Sequence, residues 1–361
     1  MTGKVNLTPQ LRKLLQRPPQ LTPEDVVAAL DVMIAGDADD IQVAAFLTAL
    51  RITGLDHSAD FIASTATRIF EESHKLDTST LNPEGYVDIV GTGGDGKNTF
   101  NVSTTAAIVA SGIGLNICKH GGKASTSTSG SGDLLRFLGV KMENVNHLTA
   151  PGILNQSKYC FLFAPVFHPM MASLAPLRKT LGIPTIFNIM GPLINPAPLK
   201  ARIIGVYSEP LGRVFAEAVL QMNIAAGRPN SPALIVWGTE GLDEISIDVR
   251  TKVWELKNQK ISEYYVEPAD FGIQRHTLCE VASGTPQQNS EVVRKLLANE
   301  LPENDPVLDY VLINTAALAV VEGTARDWKH GVELARESIR SGAAKNALAK
   351  FVALSEAAAT H

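Results

Sequence analysis

Residues 87 to 104 read VDIVGTGGDGKNTFNVST, and the assignment of this stretch decides the fold. With Tyr86 before it, the opening is a short β-rich run, and four glycines follow within six residues: Gly91, Gly93, Gly94 and Gly96. Two nucleotide-binding motifs are nearly satisfied. Gly91, Gly93 and Gly96 fit GxGxxG, but a polar KNTFNVS segment precedes any helix, and no acid appears between Asp95 and Asp133. A dinucleotide site needs its third glycine within the helix and an acid about 20 residues further on. Gly91 to Asn98 reads GxxxxGKN, with Asn98 where a P-loop needs a hydroxyl for magnesium. Both motifs fail. What remains is a strand, a loop whose N–H groups can approach an anion closely, and a helix opening near Ser103 with its positive end towards the same space.

A second polar loop repeats the arrangement. KHGGKASTSTSGSGD, residues 119 to 133, follows the strand-like LNIC and precedes the helical LLRFLGV. Lys119 and Lys123 add positive charge, and glycines and hydroxyls suit a phosphate. Later β-like runs, KARIIGVYS, PALIVWG and KVWEL, alternate with alanine-rich helical segments. Strands alternating with helices predict an α/β unit with a mainly parallel central sheet covered on both faces. Before Tyr86 the pattern is all-helical. Thr22-Pro23-Glu24-Asp25 offers an N-cap, a first-turn proline and acids, with Val26, Leu30, Met33 and Ile34 on one face. A second helix is expected over about Asp39 to Thr53, buried through Val43, Phe46, Leu47 and Leu50, and a third from about Ser58 to Lys75. HPMMASLAPLRKTLGI, 168 to 183, reads as helical again and runs into the proline-broken FNIMGPLINPAP.

The bulk numbers narrow the function classes. The chain has 361 residues, 45% hydrophobic and 19% charged, with a net charge of −5 and no long run of one sign. That leaves no electrostatic footprint for nucleic acid. The three cysteines, Cys118, Cys160 and Cys279, show neither metal-ligand spacing nor a disulfide framework, which suits a reducing compartment. No apolar run is long enough to span a bilayer, and MTGKVNLTPQLRKLL lacks a signal-peptide core. A cytoplasmic enzyme is expected.

GTGGD (91–95), NVST (101–104), KHG (119–121) and SGSGD (129–133), in that order, resemble the anthranilate phosphoribosyltransferase family. The likeness continues through HPMM (168–171), RKTLGIPTIFNIMGPLINPA (178–197) and GLDEIS (241–246), and covers nearly the whole chain. The resemblance implies transfer of phosphoribosyl from phosphoribosyl pyrophosphate to anthranilate, with magnesium at two ions per site. It implies that Gly91, Thr92, Gly93, Gly94 and Asp95 line the phosphoribosyl pyrophosphate, with Asn101, Ser103 and Thr104 on its phosphates. Lys119 would be a point charge on the polyphosphate and Ser131 a further hydroxyl. Asp243 and Glu244, with Ser103, would hold the metal. Arg178 would pair the anthranilate carboxylate, with Gly91, His120 and His168 around the acceptor. No general base is singled out.

The same resemblance implies a small helical domain from residues 1–84 plus about 168–196, and an α/β domain from 85–167 and about 197–361. FNIMGPLINP would act as a hinge, and two copies would pair as a homodimer through the helical domain. Gly122 departs from the pattern, since the family commonly has asparagine directly after KHG, reaching the anthranilate. Two alternatives stand beside this reading. A pyrimidine nucleoside phosphorylase shares the fold and a GTGG loop but would carry a lysine followed by SGR. A non-catalytic nucleic-acid-binding relative would need a basic face.

Overall fold

A computed structural model describes residues 6–124 and 127–358. Ser125 and Thr126 of the second polar loop, the first five residues and the last three of the alanine-rich end lie outside the described residues. The chain opens with four helices: α1 (Thr8–Leu14), α2 (Pro23–Ile34), α3 (Asp40–Thr53) and α4 (Ala59–Glu71). Local chemistry sets their limits. Thr22 and Asp25 form a reciprocal capping box at the start of α2, a device of about 1 kcal/mol. Asp39 caps α3 through the Ile41 N–H, and Gly54 ends it in the left-handed conformation. Val26, Leu30, Met33, Val43, Phe46, Leu47 and Leu50 are all buried, as the periodicity predicts. α1 was not placed by the sequence reading. It holds one buried residue within its seven, Leu14, too little for a periodic signal.

From Tyr86 the chain alternates between strands and helices. In order come β1 (Tyr86–Gly91), α5 (Val102–Ile113), β2 (Ile117–Gly121), α6 (Ser131–Phe137), α7 (Ala150–Gln156) and β3 (Tyr159–Phe163). Three short helices follow, α8 (Ala164–Phe167), α9 (Pro169–Ser173) and α10 (Ala175–Leu181), each opened by a proline at its first or second position. Then come β4 (Leu199–Gly205), α11 (Glu209–Ala225), β5 (Ala233–Gly238), β6 (Thr251–Lys257) and β7 (Lys260–Val266). The chain closes with α12 (Pro286–Leu297), α13 (Pro306–Glu322), α14 (Trp328–Arg340) and α15 (Ala343–Ala357).

The strands form one sheet in the order β3-β2-β1-β4-β5-β6-β7. Pairing is parallel from β3 through β5 and antiparallel from β5 through β7. Because side chains alternate along a strand, β4 and β5 each feed two cores. Ala201 and Ile203 of β4 and Leu234 and Val236 of β5 join a core with α5, α13, α14 and α15. Ile204, Ala233 and Ile235 join the other, with α11, α2–α4 and the Met170–Ile194 segment. The helical unit therefore does not close on itself, and its core is continuous with one face of the sheet. Cys118 and Cys160, distant in sequence, are register partners on β2 and β3, buried and not joined by a disulfide. Among the described residues no helix is long and apolar enough to cross a membrane.

Candidate active site

Both glycine-rich loops leave the C-terminal ends of adjacent parallel strands, where open α/β sheets bind ligands. The first loop runs from β1 to α5, whose N-cap is Asn101. Its glycines answer to a specific neighbour. A Cβ on Gly91 would lie 2.2 Å from Asp243 Oδ2, and one on Gly205, at the end of β4, 1.6 Å from the Asp243 carbonyl oxygen. Bare backbone at these two strand ends is what lets the acidic loop cross them. Gly93, at φ 70°, then turns its N–H to donate to Asp243 Oδ2 at 2.7 Å.

The acids are not the solvated pair that a polar turn usually carries. Asp243 is 9% exposed. Burial, then the neighbouring Asp95, pushes its carboxyl up to about 7. Burial, then Asp243, raises Glu244 as well, and the Ser103 hydroxyl sits beside it as a hydrogen-bond partner. Lys119 faces the same corner. It is 1% exposed, so it is no surface lysine. Its ammonium donates to the Ile89 carbonyl and, at 3.4 Å, to Ser103 Oγ. Burial lowers its pKa against the opposing pull of Asp88, Glu244 and Asp243. Among the described residues no group of three or more His, Cys, Asp or Glu side chains forms a ready-made metal cage. The Asp243 and Glu244 carboxylates beside the Ser103 hydroxyl suit magnesium, which takes one or two carboxylates and completes its shell with water and phosphate oxygens.

These groups line one cavity of about 210 Å³, which gathers Gly91, Gly93, Asp95, Asn101 and Ser103 from the first loop. Lys119, His120, Gly122 and Ser131 line it from the second, and Asp243 and Glu244 from the third. Larger hollows lie elsewhere on the molecule, but among the described residues only here do a buried lysine, a glycine loop and two adjacent acids, one buried and one half-buried, converge.

Several residues expected around the donor also carry contacts within the protein. Asn101 donates through Nδ2 to the Ser129 carbonyl at 2.7 Å. Its Oδ1 accepts from Ser129 Oγ at 2.8 Å and from Asn289 Nδ2 at 2.9 Å. Thr104 is fully buried and donates to Ser131 Oγ at 3.0 Å. Thr92 does not line the cavity, and its N–H and hydroxyl donate to the carbonyls of Gly205 and Gly93. Gly94, at φ 85°, lies against Tyr207. Asn98 Oδ1 accepts from the Thr128 N–H at 2.8 Å and from the Thr128 hydroxyl at 2.7 Å. The side chains of Asn98, Asn101 and Thr104 thus tie the two loops together.

On the acceptor side, His120 Nδ1 lies 3.1 Å from the Gly191 carbonyl, and its ring meets His168 edge-on at 5.0 Å. Burial drives the pKa of His120 down to about 3 and that of His168 to about 4, so both are neutral near pH 7. His168 stands behind His120 and does not line the cavity. Nor does Arg178, whose guanidinium lies 5.7 Å from the Phe187 ring centre and whose pKa burial lowers.

The sequence reading missed the residues that hold this site from behind. Asp88 is 1% exposed and accepts from Asn195 Nδ2 at 2.8 Å. The same Asn195 nitrogen donates to the Cys118 carbonyl at 2.8 Å, directly before Lys119. Asn314, fully buried in α13, brackets Ile245 beside the acid pair, accepting from its N–H and donating to its carbonyl. A signal was present: an acid inside VDIVG and an amide inside LINTAALAV are polar groups in apolar runs that must find partners when buried.

Residues 83–345 match the glycosyl transferase family a/b domain, and residues 8–71 match that family's helical bundle domain. The chain is 46% identical over 338 residues to the anthranilate phosphoribosyltransferase of Schizosaccharomyces pombe, covering 94% of each protein. The chain belongs to the anthranilate phosphoribosyltransferase family. The solved Saccharomyces cerevisiae anthranilate phosphoribosyltransferase in complex with PRPP and Mg is 42% identical, with a TM-score of 0.90 over 97% of this chain and 98% of that one. The same yeast enzyme in complex with 4-fluoroanthranilate gives 0.88 at 40% identity, with equal coverage. As a member of the anthranilate phosphoribosyltransferase family the chain is a pentosyl-transferring glycosyltransferase, and the phosphorolytic and nucleic-acid-binding alternatives fall away.

Proposed function

We propose that this chain transfers the 5-phosphoribosyl group of phosphoribosyl pyrophosphate to the amine of anthranilate, a step of tryptophan biosynthesis. The products are N-(5-phosphoribosyl)anthranilate and pyrophosphate. The observation that carries the reading is the corner where buried Asp243 and half-buried Glu244 meet the Gly93 N–H and Lys119. Uncompensated carboxylates at that depth are costly. Magnesium and a polyphosphate would restore the balance, the acids holding the metal and Lys119 facing the phosphate oxygens. Asp243, Glu244 and Ser103 are the residues that would hold magnesium, two ions per site, which supplies charge neutralisation for the departing pyrophosphate.

The remaining roles belong to the same proposal. Gly91, Gly93 and Asp95 cradle the donor, and Ser103 and Ser131 offer hydroxyls into the cavity. Asn101 and Thr104 fix the loops that do so. Arg178 supplies the planar fork for the acceptor carboxylate, and the neutral rings of His120 and His168 wall the passage towards it. Gly122 leaves open space where a side chain would stand, so the asparagine contact common in the family is absent. An aromatic amine is nucleophilic without a strong base, which agrees with neutral histidines.

The reading extends to assembly and place. Residues 1–84 with about 168–196 move as a helical domain about FNIMGPLINP, against an α/β domain of 85–167 and about 197–361, and close the cleft on both substrates. Two copies pair through the helical domain. Ile41 and Ile52, 79% and 80% exposed and eleven residues apart on one face of α3, supply apolar surface for that contact. The enzyme works in the cytoplasm. Incubating it with anthranilate, phosphoribosyl pyrophosphate and magnesium, and quantifying pyrophosphate and the phosphoribosylated amine, tests the reaction. Equal amounts of both products are expected, and pyrophosphate without the amine product would assign a different acceptor.

A further inference from the structure

We propose that a second cavity, enclosed by α4, the 193–199 segment and α11, binds a small monocarboxylate on an apolar or aromatic body through Arg202, and that its occupant modulates turnover. The hollow measures about 460 Å³, within the range of small-molecule sites. Its walls are largely apolar, with Phe70 from α4, Leu193 and Leu199 from the connecting segment and Met222 from α11. Arg202 enters from β4. Its guanidinium makes one hydrogen bond among the described residues, to Asn223 Oδ1 at 3.0 Å, and no ion pair. Burial pushes its pKa down to about 10, with Asp88 on the neighbouring strand the one acid opposing that fall. Asp88 itself is already held by Asn195 and His120.

A planar donor fork left largely unused in an apolar hollow is a recognition feature for a carboxylate, whose two oxygens match it. Phosphate is the poorer fit, because the apolar walls would strip its hydration and offer little in return. Lys75 and Arg228 at the same cavity add positive charge, against the single acid Glu71.

The location gives the site a means of action. Asn195 lines this cavity and also binds Asp88 and the Cys118 carbonyl, directly behind Lys119. An occupant would therefore lean on the segment joining the helical unit to β4, and on the residue that holds β2 directly before Lys119. It touches neither the donor cavity nor Arg178, so it alters turnover without competing with either substrate. The binding claim stands whichever acceptor the enzyme uses.

The test is calorimetric titration of the intact enzyme with 3-phenylpropionate and with its neutral amide, 3-phenylpropanamide, alongside steady-state rates. Wild type should bind the carboxylate, and the amide should bind about tenfold to hundredfold more weakly, as expected for a lost charged hydrogen bond. Arg202→Gln should weaken the carboxylate by the same factor. Met222→Trp, which fills the hollow and keeps the arginine, should also remove binding, whereas Arg178→Gln should preserve it. The rate effect should persist at saturating anthranilate. No heat with wild type, or binding that survives Arg202→Gln and disappears with Arg178→Gln, would overturn the proposal, the latter assigning the probe to the acceptor pocket.

Discussion

At the scale of single residues, the glycine at 91 and the acid at 243 are one feature seen from two sides. The motif marks Gly91 as a donor-binding residue, but the atom it must avoid belongs to Asp243, 150 positions further along in its pairing with the Gly93 N–H. Gly91→Ala should therefore displace the carboxylate by about 1 Å or more and lower kcat/KM by at least about a hundredfold. Circular dichroism should stay unchanged, and a variant of near wild-type activity would show that the acid loop does not need this approach. His168 gives a pH prediction. Its folded pKa is depressed to about 4 from 6.5, so the unfolded chain takes up the proton first as pH falls. Stability is then complete above about 6.5 and declines towards 4, by up to about 3 kcal/mol. Melting temperatures of His168→Phe across that window should fall less steeply with acid than those of wild type. Residue types and motif order made Asp243, Glu244, Lys119 and Ser103 legible in the sequence. Asn195 and Asn314 were not, because their roles depend on partners that only the fold brings near.

At the scale of elements, capped helices were readable and two strands were not. α2 and α3 carry their own punctuation in Thr22, Asp25, Asp39 and Gly54. β3, YCFLF, is buried at every position, so it lacks the alternation that reveals a strand. β7 pairs with β6 across a two-residue turn at Asn258 and Gln259, with φ of 50° and 61°. That turn usually announces itself by Asn-Gly, and glutamine in the second place hides it. The loop-to-loop clamp was invisible for a related reason. Asn289, in the first turns of α12, accepts the Gly284 N–H at 2.9 Å and donates to Asn101 at 2.9 Å, which in turn holds Ser129. Asn289→Ala should cost about 1–3 kcal/mol of stability by leaving these groups unpaired. It should also raise the KM for phosphoribosyl pyrophosphate about tenfold, while the anthranilate KM stays near wild type. Equal rises in both constants would mean that the clamp does not act on the donor loops.

At the scale of the whole molecule, the sheet is the common wall of two cores. One is completed by the C-terminal helices and the other by α11 and the helical unit. The sequence made the helical and α/β halves legible through their different periodicities. The apolar faces of the helices call for partners, but that one face of the sheet supplies them was not readable, because that contact joins segments far apart in the chain. The exposed stripe on α3 bears on assembly. Replacing Ile41 and Ile52 together by lysine should convert a dimer to a monomer in light scattering, and an unchanged mass would place the subunit contact elsewhere. The central claim, that Asp243 and Glu244 at the ends of the parallel strands hold magnesium for phosphoribosyl transfer, is tested most directly by anthranilate fluorescence. Wild type and Asp243→Asn would be followed with phosphoribosyl pyrophosphate and a magnesium titration. The account predicts decay that requires both donor and metal in the wild type, and a rate at least about a hundredfold lower in the variant. Decay without magnesium, or a variant as fast as wild type, would contradict it.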